Sequence, residues 1–148
     1  MQIMKQIKKI LLLIATSMLL YACPEKEEGH RYIVFVNKSD RDISVQDFWS
    51  GHITDADTLF QCRIGAVHIP VDSLLNFPSL NYSGWETDFN AIPFIQFLVM
   101  DDETFVEYWM APCDTIRKNV PVLHRYQLTL ADLQRMNWTV VYPPVEPL

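Results

Sequence analysis

The chain has 148 residues, in which 12 lysines and arginines face 18 aspartates and glutamates for a formal net charge of −6. That balance argues against a nucleic-acid partner, because phosphates demand basic surface, and against adsorption to anionic lipid through a basic patch. The length suits one independently folding domain with its own core.

The first element is a secretory signal over residues 1–22. Lys5, Lys8 and Lys9 precede an apolar stretch from Ile10 to Leu20, and small Ala22 marks the cleavage point. The stretch is well short of the roughly 20 residues that cross a bilayer as a helix. Cys23 follows Ala22 directly, and Leu20-Tyr21-Ala22-Cys23 resembles the bacterial lipobox. The resemblance implies cleavage after Ala22 and acylation of Cys23, so that the membrane is reached through a lipid anchor. Several acyl chains on one cysteine hold stably, since each buried methylene contributes roughly 0.8 kcal/mol. Residues 23–30 then read as the lipidated cysteine and a solvated tether. Within it, Lys26-Glu27-Glu28 resembles the lipoprotein export signal of Bacteroidota. That resemblance implies display on the outer face of the outer membrane, with the periplasmic face as the alternative. Without residues 1–22, nine basic residues face 18 acidic ones.

Residues 31–148 read as a single β domain. Arg31 to Asn37 is β-branched and aromatic and predicts a buried strand. Asn37 to Asp40 is turn-forming, and Ile43-Ser44-Val45 restarts a strand, which predicts a hairpin. Thr58 to Ile69 holds one or two short strands, and Val71 to Leu75 one helical turn; Asn76 to Asn90 is irregular. Phe94 to Met100 and Thr104 to Met110 flank Asp101-Asp102-Glu103 and read as a second hairpin, covered on both faces. Val120 to Leu128 reads as extended. Thr129-Leu130-Ala131-Asp132 has the form of a capping box opening a two-turn helix to Met136, and Trp138 to Tyr142 is the last strand.

Short strands punctuated by proline and glycine, with one short C-terminal helix, predict a mainly β fold: an antiparallel, immunoglobulin-like β-sandwich, with a small β-barrel as the alternative. The tract from Tyr126 to Pro144, with Tyr32 to Asp40, is similar to small lipoproteins of Bacteroides and related Bacteroidota. The resemblance implies a group and carries no activity or catalytic position. Asp57-Thr58-Leu59, Asp72-Ser73-Leu74 and Asp114-Thr115-Ile116 match the O-glycosylation pattern of that phylum, which implies sugars at Thr58, Ser73 and Thr115; ordinary turn chemistry is the competing reading.

Cys62 and Cys113 remain once Cys23 is acylated, and in an oxidising compartment they can form a disulfide. Such a bridge stabilises by up to roughly 4 kcal/mol in the chain-entropy account. Two buried thiols are the alternative. His30, His52, His68 and His124 are spread without metal-ligand spacing, so neither a metal nor a cofactor is expected. Ser50-Gly51-His52 lacks a nucleophile elbow. The acidic Asp101-Asp102-Glu103 matches no calcium loop and reads as a solvated hairpin tip. Trp109 and Trp138 lie in strand patterns and read as core. Trp49 and Trp85 lie in loop-like stretches and are the binding candidates, for a glycan or protein ligand, with Tyr82 and Phe89 nearby in character. The functional expectation is a lipid-anchored, non-catalytic binding or structural module of the cell envelope. The alternatives are a small envelope-associated hydrolase and a subunit of an outer-membrane assembly.

Overall fold

A computed structural model describes residues 29–49, 65–81 and 83–144. In it the strands are β1 (Tyr32–Asn37), β2 (Ile43–Trp49), β3 (Val67–Ile69), β4 (Leu74–Pro78), β5 (Ile95–Asp101), β6 (Val122–Leu128) and β7 (Thr139–Tyr142). They form a three-stranded sheet in the order β4-β1-β7 and a four-stranded sheet in the order β3-β2-β5-β6. The fold is therefore the expected mainly β sandwich, and neither sheet closes into a barrel. Its pairings are antiparallel except for β1 with β7, which run parallel.

Alternation along the strands decides what is buried. Ile33 and Phe35 of β1 and Val140 of β7 point inward against Val45, Phe97 and Val99 of the other sheet. The centre of the core is aromatic: Phe35 and Phe97 have ring centroids 5.4 Å apart, Phe77 and Phe97 5.0 Å, and Phe35 and Tyr126 5.8 Å. These separations suit tilted and edge-on contacts, which add to simple area burial. The Tyr126 hydroxyl donates to the Val141 carbonyl at 2.6 Å and so joins β6 to β7 across the sandwich. Every residue from Ile95 to Met100 is buried, in keeping with a central strand covered on both faces.

The expected first hairpin does not form. β1 and β2 lie in different sheets, so residues 38–42 are an arch between layers. The reason is Asn37, which is fully buried. Its Nδ2 donates to the carbonyls of Arg41, Ile69 and Pro70 at 2.9, 3.0 and 3.1 Å, and its Oδ1 accepts from the Ser39 amide and hydroxyl. One amide thus satisfies the arch and the β3–β4 turn together.

The second hairpin is also corrected. Residues Asp102–Tyr108 form helix α2, preceded in the chain by α1 (Trp85–Asp88) and followed by α3 (Cys113–Asn119) and α4 (Leu130–Arg135). Asp101 ends β5 and caps α2, accepting from the Thr104 amide at 3.0 Å and its hydroxyl at 2.7 Å. Asp102 and Glu103 then complement the positive end of the helix. Phe105 and Tyr108, three apart, pack with Ile116 and Val120 over Met100 on the outer face of the four-stranded sheet. Leu74 and Leu75 belong to β4 rather than to a helical turn. Part of the tract expected to be irregular is α1.

The capping box forms as expected. Thr129 accepts from the Asp132 amide while Asp132 accepts from the Thr129 amide at 2.9 Å. Asn137, with φ +49°, closes the other end: its amide donates to Gln134 and that of Trp138 donates to Leu133. This six-to-one closure turns Trp138 back beside Leu133 in the core.

Asn37→Ala is expected to destabilise the fold by roughly 2–4 kcal/mol, because it strands buried carbonyls and amides at once. Urea denaturation of the variant against wild type measures it, and an unchanged midpoint would remove Asn37 from its proposed place as the hub of the arch.

Candidate functional site

Three features stand out, and each grows from the strands just described. The first is the seat where the chain enters the sandwich. Gly29 runs against Gly84 so closely that a Cβ on Gly84 would lie 2.7 Å from the Gly29 Cα. Gly84 also holds φ +96°, where side chains are strained. The His30 amide donates to Glu86 Oε2 at 2.7 Å, and its ring Nδ1 lies 2.6 Å from Oε1. The same ring stacks on Trp138 at 4.3 Å between centroids. Behind it, the Trp85 amide donates to the His30 carbonyl and the Ser79 amide to the Arg31 carbonyl, each at 2.8 Å. Burial pushes the Glu86 carboxyl up, but the hydrogen bonds from His30 outweigh it and hold the group below the usual carboxylate range.

The second feature is an open cleft of about 500 Å³ between β2 and β4, lined by Asp47, Trp49, Leu75, Pro78, Ser79 and Leu80 among others. Ile43, Val45, Asp47 and Trp49 share the inward side of β2. Among the described residues β3 pairs with Ile43 to Val45, and Asp47 and Trp49 extend beyond it. Burial raises the Asp47 carboxyl, with a backbone hydrogen bond at Asp47 pulling the other way. An exposed indole beside a partly desolvated carboxyl can stack on an apolar ring face and accept a hydrogen bond.

The third is the acidic opposite end. Asp102 accepts from the Ser44 hydroxyl at 2.6 Å and lies 2.9 Å from His68 Nδ1; Arg41 reaches Asp40 at 3.2 Å and Asp101 at 3.8 Å. Hydrogen bonds from Thr104 hold the Asp101 carboxyl below its ordinary value. The acidic triplet is therefore a helix start, not a hairpin tip. Among the described residues no group of three or more His, Cys, Asp or Glu is placed to hold a metal ion.

The site residues expected from sequence divide as follows. Cys23, Lys26, Glu27, Glu28, Thr58 and Cys62 lie outside the described residues, as do Tyr82 and the Ser50-Gly51-His52 run. Cys113 opens α3 and is disulfide-bonded. Ser73 sits half-buried in the turn before β4, its hydroxyl 3.4 Å from the Val71 carbonyl, and Thr115 is half-buried in the first turn of α3. Trp49 is 45% exposed and lines the cleft.

Trp85 is a correction: it is fully buried, and its indole N–H donates to the Phe77 carbonyl at 3.3 Å. The turn that Gly84 permits swings the ring into the core rather than out of a loop. Trp109 is corrected the other way. With 102–108 helical, it falls one turn after exposed Val106 and is 57% exposed. Trp138 is core, as expected. Sequence reasoning passed over Asp47 and Glu86 and weighed His30 solely as a metal ligand. Asp47 had a visible signal, an acid in register with inward Ile43 and Val45. The His30–Glu86 contact joins residues 56 apart and had none.

Comparison with protein families, with curated proteins and with solved structures found no match.

Two outcomes are expected. Gly84→Ala forces a side chain into the left-handed region at about 1–2 kcal/mol and into Gly29 besides; it should lower the urea midpoint and speed proteolysis next to Gly29. Equal cleavage rates would show that the seat does not hold the entering segment. Asp47 has a raised folded-state pKa, so its ionisation opposes folding as pH rises through that value. Asp47→Asn should therefore melt higher than wild type at neutral pH, with the gap closing in acid below the carboxylate range. A gap that stays constant with pH would mean the carboxyl is not desolvated.

Proposed function

We propose that this protein is a lipid-anchored module of the bacterial cell envelope, held by acylated Cys23 and exported through Lys26-Glu27-Glu28 to the surface of the outer membrane, where it acts as a non-catalytic binding or structural domain. The observation that carries the reading is a continuity along the chain. The lipobox-like run ends at Cys23, and six residues later Gly29 enters a tight backbone seat against Gly84. A domain that must be held by its N-terminus gains from such a seat, because force on a free leader would otherwise peel β1 from its sheet.

The carboxylates support a scaffold role. Asp101 and Asp132 cap helices, Asp102 accepts from Ser44, Asp88 accepts from the Leu80 amide at 2.7 Å, and Glu86 holds His30. The periplasmic face of the same membrane is the alternative address. The resemblance to Bacteroides lipoproteins supports this assignment, and the Cys62–Cys113 bridge and sugars at Thr58, Ser73 and Thr115 belong to the same proposal. One observation favours an envelope-associated hydrolase instead: the Asp47 carboxyl, raised by burial, sits in an open cleft as a general acid would.

Cys23→Ala is the test. The variant should remain uncleaved by the lipoprotein peptidase, take up no radioactive palmitate and leave the membrane fraction. Normal labelling would overturn the anchor.

A further inference from the structure

The distance from the acyl cysteine to the seat limits how the sandwich can stand. The six residues from Cys23 to Gly29 span at most about 20 Å when fully extended. If Cys23 carries the lipid, as proposed above and as this inference requires, the end of the sandwich at Gly29 stays within that reach of the bilayer. The cleft opens at the same end. Ser79 hydrogen-bonds Arg31, Pro78 lies opposite Tyr32 at the start of β1, and both line the cleft with Trp49. Trp49 is the last residue of β2 and keeps 45% of its surface exposed.

The other end of the sandwich is the more acidic of the two, since the end at Gly29 sets Arg31 and Arg135 against Asp47, Glu86, Asp88 and Asp132. One strand length away, roughly 17 Å along β1, the turns carry Asp40, Asp42, Asp72, Asp101, Asp102 and Glu103 against Lys38 and Arg41. Anionic headgroups repel that end. Indole rings favour the headgroup level of a bilayer, where the apolar ring and the N–H are both satisfied. Short reach, an exposed indole near the seat and the stronger repulsion at the far end all favour one orientation.

We propose that Trp49 is a second membrane contact: the sandwich stands on the phospholipid surface with the Trp49 end of the cleft at the headgroups and the acidic end turned outward. Trp49 lies close to where the chain leaves for the anchor, so the contact needs no rearrangement of the sandwich.

Brominated acyl chains quench tryptophan emission on close approach and test this directly. Full-length acylated protein is placed in vesicles of phosphatidylethanolamine and phosphatidylglycerol, with and without dibrominated chains. Wild type should be quenched by the brominated lipid, Trp49→Phe should lose most of that quenching, and Trp109→Phe should retain it. Trp85 and Trp138 are buried and act as a constant background. Quenching that survives Trp49→Phe, or that is carried by Trp109, overturns the orientation. Vesicle flotation reads the anchor separately: protein that floats with Trp49 unquenched sinks the orientation alone, and protein that does not float sinks the anchor and the orientation with it.

Discussion

The buried side-chain amide of Asn37 is the constraint on which the rest of this structure depends. It sits at the end of β1, where the chain either folds back on itself or crosses to a second layer. Three carbonyls, from Arg41, Ile69 and Pro70, converge on its nitrogen. A water-filled turn would satisfy those groups in a hairpin; here the amide does so inside the protein, and the crossing follows. With β1 and β2 in separate sheets, each has room for a partner on both sides. Phe35 can then face Phe97, and the aromatic core closes between the layers.

Crossing early has a consequence at the opposite end. Among the described residues β3 is three residues long and shields the first part of β2. The inward register of β2 continues past it, so the positions that would have completed the core instead open into a cleft. That is why an aspartate is tolerated there. An acid fully inside the aromatic core would be prohibitive, whereas at the rim it is only partly desolvated, and the upward push on Asp47 records that intermediate position. The same geometry places Asp101, Asp102 and Glu103 together at the far end, because β5 stops there and α2 starts there.

How much of this was legible depends on which signals are local. β5, β6, β7 and the Thr129–Asp132 capping box lie in the sequence as continuous patterns, and all appear. The Thr104–Met110 strand was misread because seven residues with apolar groups at nearly every position fit a period of two as well as one of 3.6. The deciding signal was Asp101 followed by Thr104, a cap rather than a turn. The β1–β2 connection was misread because a polar stretch looks alike as hairpin or arch; only the identity of the inward residue at position 37, an amide where a hydrophobe is usual, separates them. Trp85 went wrong through Gly84, whose left-handed backbone reverses the direction of the ring. The seat itself was illegible, since Gly29, His30, Gly84, Glu86 and Trp138 meet only in three dimensions.

Magnitudes separate what an anchor does from what Trp49 does. A single acyl chain on Cys23, as proposed, would bury methylenes at roughly 0.8 kcal/mol each, on the order of 10 kcal/mol in all. Burying the exposed part of the Trp49 indole, 45% of its surface, adds at most about 2–3 kcal/mol, well below the contribution of one chain. On that proposal Trp49 would not be what holds the protein on a membrane. An anchored domain samples orientations at fixed distance, however, and there a preference of a few-fold is enough to set which end most copies present. Repulsion of the carboxylate-rich end acts in the same sense and weakens with salt. The stacked His30 and Trp138 fix the point at which the chain enters the sandwich, so the proposed anchor would pull on the cleft end and not on the acidic one.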